Sequence, residues 1–390
     1  MNDVYITGIG HCLPNRPVDN DRMEAVLGQV GPRPSRTRRL ILRNNGIKSR
    51  YYALDPETGE VTHTNAQLTA EAVRALGRSG FRLEAMDLLS CGTSSPDQIL
   101  PNHAVMVHGE LGGDPCEVAA SSGICMSGVS ALKYAWLSVR AGESRGAGES
   151  RGAVATGSEQ ASTNMRARFL RQEEPHTPEA IEEQPELAFE SDFLRWMLSD
   201  GAGAVALEPQ PRTDGLSLRV DWIETVSYAN EMEACMYAGA VKEDDGHLRG
   251  WRDFPDPQAM LDANTLAVKQ DVRLLNEHIV DYAIGKGLSR VLEKRPLAAD
   301  AVTWFLPHYS SAWFRDKLYA EMQAIGFELP QQRWFTNLTT RGNTGSASIY
   351  LILEELFHSG RLRPGDTLLG FVPESGRFST AFLHLTVTAP

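Results

Sequence analysis

Short apolar runs alternate with longer amphipathic stretches along most of this chain. The runs VYITGI (4–9), LLSCGT (88–93), VAASS (118–122), AVATG (153–157), GAVALE (203–208), LRVDWIETV (218–226), AVTWFL (301–306) and TLLGFV (367–372) have the length and residue types of strands. Between them, 65–79, 126–139, 271–292, 311–325 and 346–359 carry apolar positions at helical spacing. This alternation predicts an α/β fold, with βαβ units and a mixed or parallel sheet packed between helices. The segment EPQPRTDG (208–215) is rich in proline, charge and glycine, and strand signals resume straight after it. It predicts a boundary between two parts of similar size, 1–209 and 210–390.

Composition narrows the classes. A chain of 390 residues can bury a large core. No apolar run reaches the length of about 18 residues that a membrane helix needs. The N-terminus lacks the basic-then-apolar pattern of a secretory signal. Five cysteines are too few for a disulfide framework, and the odd count leaves at least one free thiol. A reducing cytoplasm is expected. With a net charge of −12, general nucleic-acid binding is not expected. Basic residues nevertheless cluster at Arg33, Arg36, Arg38, Arg39, Arg43, Lys48 and Arg50. Two readings stand: a solvated face, or a docking patch in which Arg36, Arg38, Arg39 and Arg43 meet an acidic protein or phosphate groups.

Two local features read as excursions. GESRGA at 142–147 recurs at 148–153, which two copies mark as a duplicated surface loop rather than a repeat architecture. The segment 164–198 is long, charged and broken by prolines, and ends in an apolar stretch with Phe189, Phe193, Leu194, Trp196 and Met197. It is either a solvated loop with a buried anchor or the lining of an apolar pocket, with Phe193 and Trp196 as contacts.

Three separated signatures carry candidate chemistry: SSGICMSGVSAL (121–132), LPHYSSAWF (306–314) and RGNTGSASIY (341–350). Cys125 follows a turn of small residues and opens an apolar helix, where the positive helix end favours a thiolate. Cys12, Cys91 and Cys235 read as buried and inert, and Cys116 precedes its strand at the far end. His308 follows a strand and a proline, at a strand end where sites gather in open α/β sheets. Asn343 sits in a glycine-flanked turn that opens a helix, a position that also suits a cap. Glu159 ends the strand after the cysteine helix. It reads as a capping or ion-paired carboxylate, or as an extra base facing the same cavity. No metal constellation, phosphate loop or dinucleotide fingerprint stands out, so no cofactor is expected.

In order and spacing these signatures, with DVYITGIGHCLPN (3–15), LLSCGTSSPDQILPN (88–102), SDGAGAVALEP (199–209) and TLLGFVPESGRFSTAFLHL (367–385), resemble the ketoacyl synthase III branch of the thiolase superfamily. The resemblance covers nearly the whole chain. It implies a thiolase-type fold of two similar halves in a layered αβαβα core, the first carrying the cysteine and the second the histidine and asparagine. It implies a homodimer acting on acyl carrier protein or acyl-CoA thioesters. Cys125 would take the acyl group, while His308 and Asn343 would hold the carbonyl oxygen of the second thioester. The backbone N–H groups of Cys125 and Gly376 would form the oxyanion hole for acyl transfer.

The chain departs from the family pattern in two places. PESGRFS (373–379) stands where consecutive glycines are more usual, so Glu374 and Arg377 are expected to project towards the site mouth, with Arg377 a candidate substrate contact. PHYSS replaces the more usual PHQAN. Together with SSGICM, GSEQAS and FLRWMLSDGAGA, these features look similar to synthases that join two acyl chains and close a cyclohexanedione or dialkylresorcinol ring. Acyl transfer to oxygen or nitrogen, initiation of fatty-acid or polyketide chains, and a non-catalytic partner subunit are the alternatives.

Overall fold

The structure is a computed structural model that describes residues 2–30, 38–142, 152–169 and 194–390. The duplicated GESRGA loop, Arg36, Phe189 and Phe193 lie wholly or largely outside the described residues. Nine strands form one mixed sheet. They are β1 (Tyr5–Cys12), β2 (Met86–Thr93), β3 (Glu117–Ser122), β4 (Gly152–Glu159), β5 (Gly201–Glu208), β6 (Ser217–Ser227), β7 (Trp304–Pro307), β8 (Thr367–Glu374) and β9 (Ser379–Thr388). Their order across the sheet is β7-β8-β9-β6-β1-β5-β4-β2-β3.

Read outward from the β1–β6 seam, the strand directions repeat. On one side β1–β5 and β5–β4 are antiparallel and β4–β2 is parallel. On the other, β6–β9 and β9–β8 are antiparallel and β8–β7 is parallel. The seam itself is thin, with only Tyr5↔Arg219 and Ile6↔Leu218 in register. The proline-rich segment at 208–215 is the connection that crosses it, between the end of β5 and the start of β6.

Helices cover the sheet in layers. α1 (Asn65–Arg74) is opened by a capping box, in which the Thr64 side chain accepts the Gln67 N–H and the Gln67 side chain accepts the Thr64 N–H. With 103–111 it packs outside the first half, against Leu89, Cys91 and Val154. α2 (Ser127–Ala141) and α5 (Ser348–His358) lie in the middle, where Val129, Leu132, Ile349 and Leu353 share one core with strand residues from both halves. α3 (Val272–Val280) and α4 (Gly287–Lys294), joined by a π-helical segment Asp281–Lys286, pack outside the second half over Phe371 and Phe382. The result is an αβαβα stack.

Close approach fixes the middle layer. A Cβ on Gly128 or on Gly157 would lie 2.3 Å from the Ser346 carbonyl oxygen, and the Tyr350 hydroxyl donates to the Gly128 carbonyl at 2.8 Å. Only glycine lets α2, β4 and the start of α5 meet here. Since Cys125, Glu159 and Asn343 lie within a few residues of these contacts, the same packing brings them to one place.

Candidate active site

Cys125 lies in the turn between β3 and α2. The Ser127 N–H and its hydroxyl both bond the Ile124 carbonyl, at 3.2 and 2.8 Å. Met126 at the helix N-cap offers no side-chain cap. The carboxylate of Glu374, at the end of β8, fills that role from across the fold. Its Oε2 accepts the Ile124 and Met126 N–H groups, each at 3.0 Å. The helix end favours a thiolate, and the surroundings of the sulfur act against it. Burial, then the carboxylates of Glu374 and Glu159, push the Cys125 thiol well above its ordinary range.

Two cavities meet at this residue, sharing Cys125, Ser310 and Ser375 as a common wall. The smaller, about 40 Å³, is lined by His308, Tyr309 and apolar side chains that include Ile279 and Phe314. The larger, about 650 Å³, is lined by Glu159, Asn343 and Met236, and by both described ends of the 164–198 segment: Met165, Arg168 and Phe169, then Leu194, Arg195, Met197 and Leu198. Cys125 and His308 thus share one chamber, and Cys125, Glu159 and Asn343 share the other.

His308 follows β7, and its backbone N–H bonds the Phe371 carbonyl of the neighbouring parallel strand at 2.8 Å. Burial lowers its pKa to about 4, so the ring is neutral at physiological pH and can donate one N–H. Asn343 is held on three sides. Its N–H donates to the Met197 carbonyl at 3.0 Å, its own carbonyl accepts the Ser199 N–H at 2.8 Å, and its Oδ1 accepts the Gly345 N–H at 3.0 Å. The Nδ2 amide makes no hydrogen bond among the described residues. It is the half of the side chain left to donate to a bound carbonyl.

Glu159 is 3% exposed. Its Oε1 accepts the Ser94 hydroxyl at 2.7 Å and the Ser95 hydroxyl, and its Oε2 accepts the Ser346 N–H at 3.3 Å and hydroxyl at 3.4 Å. Burial nevertheless outweighs these donors and raises its pKa above the ordinary glutamate value. The carboxylate caps the turn after Asn343 and lines the larger cavity. Gly345, at φ 50°, is required beside it, because a Cβ there would lie 2.3 Å from Glu159 Oε2. Asp200, whose pKa is raised to about 6 by burial, ties the chain after Glu159 to the segment around Ala53 by accepting the Ser162 N–H at 2.9 Å and the Ala53 N–H at 2.6 Å.

Other expected residues are placed differently. Trp196 is fully buried, with Arg38 5.4 Å above its ring, while its neighbours Arg195 and Met197 line the cavity. Arg38 also pairs with Glu24, and Arg50 is fully buried against Asn20 and the Trp196 carbonyl. These two arginines are packing elements, and of the basic cluster Arg39, Arg43 and Lys48 are exposed. Arg377 is exposed and turns its Nε onto the Met232 carbonyl at 2.5 Å, away from both cavities. The carbonyl of Gly376 accepts the Cys235 N–H at 2.8 Å, and a Cβ there would lie 3.0 Å from Ile124. The 375–378 loop therefore abuts the residue before the nucleophile. Cys116 is half-buried outside both cavities. The sequence reading missed Ser94, Ser95, Ser310, Ser346 and Ser375. Each lies inside a quoted signature, and serine side chains give no periodicity to betray a role. Among the described residues no cluster of three metal-ligating side chains occurs, and no helix is long and apolar enough to cross a membrane.

The layered core is of the thiolase type. Residues 292–377 match the family of 3-oxoacyl-[acyl-carrier-protein] synthase III C-terminal regions. The chain is 26% identical over 369 residues to the β-ketoacyl-[acyl-carrier-protein] synthase III of Bordetella petrii, covering 95% of this chain and 94% of that one. Its fold superposes on AbyA1, a tetronic acid condensing enzyme, with a TM-score of 0.72 and 21% identity over 98% of this chain and 99% of the other. Xanthomonas campestris OleA with bound lauric acid and lauroyl-CoA gives a TM-score of 0.71 and 19% identity over the same shares. In sequence the chain is similar to ketoacyl synthase III enzymes, and in fold to condensing enzymes with the thiolase-type layered core.

Proposed function

We propose that this protein is an acyl-condensing enzyme, an acyltransferase that forms a carbon–carbon bond. Cys125 loads an acyl chain from a carrier-protein or coenzyme A thioester, and a second, β-ketoacyl thioester then attacks it. The observation that carries this reading is the shared wall at Cys125. One residue opens onto both a small chamber holding His308 and a large apolar one holding Asn343 and Glu159. The chamber of about 650 Å³ gives the nucleophile room for acyl groups, while the chamber of about 40 Å³ brings the His308 donor up to it. His308 is neutral and Asn343 keeps a free amide, so both can stabilise the oxygen of a developing enolate without adding charge to the thioester.

The finer step is ring closure. Glu159 is a buried carboxylate of raised basicity in the larger chamber, suited to removing the proton whose loss permits a cyclohexanedione ring to close. The protein would work as a cytoplasmic homodimer of two-half subunits, 1–209 and 210–390. Strand β3 supports the dimer, since it is a sheet edge along which Glu117, Ala120 and Ser122 are exposed. Arg39 and Arg43 remain the exposed basic residues that a carrier could meet.

The test is intact-protein mass spectrometry after incubation with a panel of acyl thioesters, followed by product analysis when a β-ketoacyl thioester is added. An acyl adduct on Cys125 and a cyclic product carry the reading. An adduct released only as an ester, an amide or a free acid refutes carbon–carbon bond formation.

A further inference from the structure

The turn that carries Cys125 has an occupant that the nucleophile reading does not use. α2 spans 15 residues, so its N-terminus presents unpaired amides and the positive end of a long dipole. A thiolate at Cys125 would draw on that field. The amides on either side of it, those of Ile124 and Met126, are already taken by one oxygen of Glu374, each at 3.0 Å. Gly123 and Gly376 flank that carboxylate, and a Cβ on either would lie in van der Waals contact with it, 3.4 Å from one of its oxygens. No side chain of the turn itself caps the helix.

We propose that Glu374 is a positioning residue that sets the acidity of Cys125. Its fixed negative charge occupies the helix end that would otherwise stabilise the thiolate, and so keeps the resting thiol protonated. The electrostatic balance at Cys125 agrees, with Glu374 the largest charge acting to raise its pKa and Glu159 the next. The other titratable groups facing the site from neighbouring elements are His308 after β7, neutral above about pH 4, and Tyr309 beside it. Arg168 and Arg195 line the larger chamber. Among the described residues His308 makes no hydrogen bond to the Cys125 sulfur, and what acts against the two carboxylates there is the residue's own backbone N–H.

The inference rests on Cys125 as the nucleophile, but its test reads the thiol and not acyl transfer. The full-length protein is alkylated with iodoacetamide across pH 6–11, and modification is followed at the Cys125 peptide by mass spectrometry, apart from the half-buried Cys116. Wild type should show a midpoint above the usual thiol value of 9.0. Glu374→Gln keeps an oxygen acceptor for the two amides and removes the charge. Its midpoint should fall by about one unit or more, with alkylation at pH 8 about tenfold faster or more. Glu374→Asp keeps the charge and should stay above the Gln variant. Glu159→Gln should give a smaller fall. The proposal is overturned if the Gln variant matches wild type or reacts more slowly, or if Glu159→Gln shifts the midpoint as much. Should the Gln variant not fold, the wild-type profile decides alone: a midpoint at or below about 8.5 overturns the proposal.

Discussion

Asn343 does two things at once, and two substitutions separate them. Its Oδ1 holds the turn by accepting the Gly345 N–H, while its Nδ2 is the half available to a substrate oxygen. Asn343→Ala removes both. The buried Gly345 N–H is left without a partner, which costs about 1–3 kcal/mol of stability. The lost oxyanion donor costs a further 2.7–4 kcal/mol or so in the transition state, a slowing of condensation by about 10²–10³. Asn343→Asp has the same shape and keeps an oxygen for Gly345, but cannot donate and adds charge where an oxyanion must form. It should melt above the Ala variant and condense at least as slowly. The assay is single-turnover kinetics, with loading of Cys125 followed by intact mass and condensation followed by product after the second thioester is added. Loading should stay near the wild-type rate in both variants. A loading defect as large as the condensation defect, or an Asp variant that condenses at the wild-type rate, refutes the assignment of Nδ2.

Cys125→Ala should abolish acyl adducts and Cys116→Ala should leave them unchanged, as intact mass will report. Glu159→Gln should load normally and release linear product or its hydrolysis fragments in place of the ring, as chromatography of the products will show. Because burial raises the folded pKa of Glu159, its ionisation costs stability as pH rises from the unfolded value of 4.5 through the folded one. Glu159→Gln should therefore gain on wild type in thermal melts at pH 8 relative to pH 4.5. His308 has the opposite linkage. With its folded pKa lowered to about 4 from 6.5, it contributes stability that is fully present above 6.5 and lost as pH falls through 4. His308→Asn should flatten that part of the melting curve against pH, while slowing condensation more than loading.

Much of this was legible in the residues, and particular positions show why. The strands could be read because each is an apolar run between turn residues, and the setting of Cys125 because small residues flank it where a strand turns into a helix. The stretch 271–292 reads as one helix, yet its middle is the π-helical segment Asp281–Lys286. A slipped hydrogen-bond register leaves the apolar periodicity almost intact, so the pattern conceals it. Arg38 and Arg50 read as surface charge because basic residues are mostly exposed. Their packing against Trp196, Asn20 and Glu24 depends on partners distant in sequence. Trp196 was placed in the right segment on the wrong side, since the turn Leu194–Trp196 is too short to establish a face. Glu374 was noticed as a departure, but its grip on the amides beside Cys125 spans about 250 residues of chain and no local signal announces it.

The thin β1–β6 seam has a mechanical meaning. Cys125 and Glu159 belong to strands and turns on one side of it, His308 and Glu374 to the other, and two residue pairs join the sheet between them. What bridges the two sides most firmly is α5, with Tyr350 pressed under Gly203 on one side and Ile349 against Gly370 on the other. The spacing between nucleophile and donor is therefore set as in a pair of tongs, by the pivot together with the ties at the tips, where Glu374 holds the Ile124 and Met126 amides and Asn343 is bonded to Met197 and Ser199. Wear at the pivot, such as a smaller side chain at Tyr350, would open the jaws while leaving each arm intact.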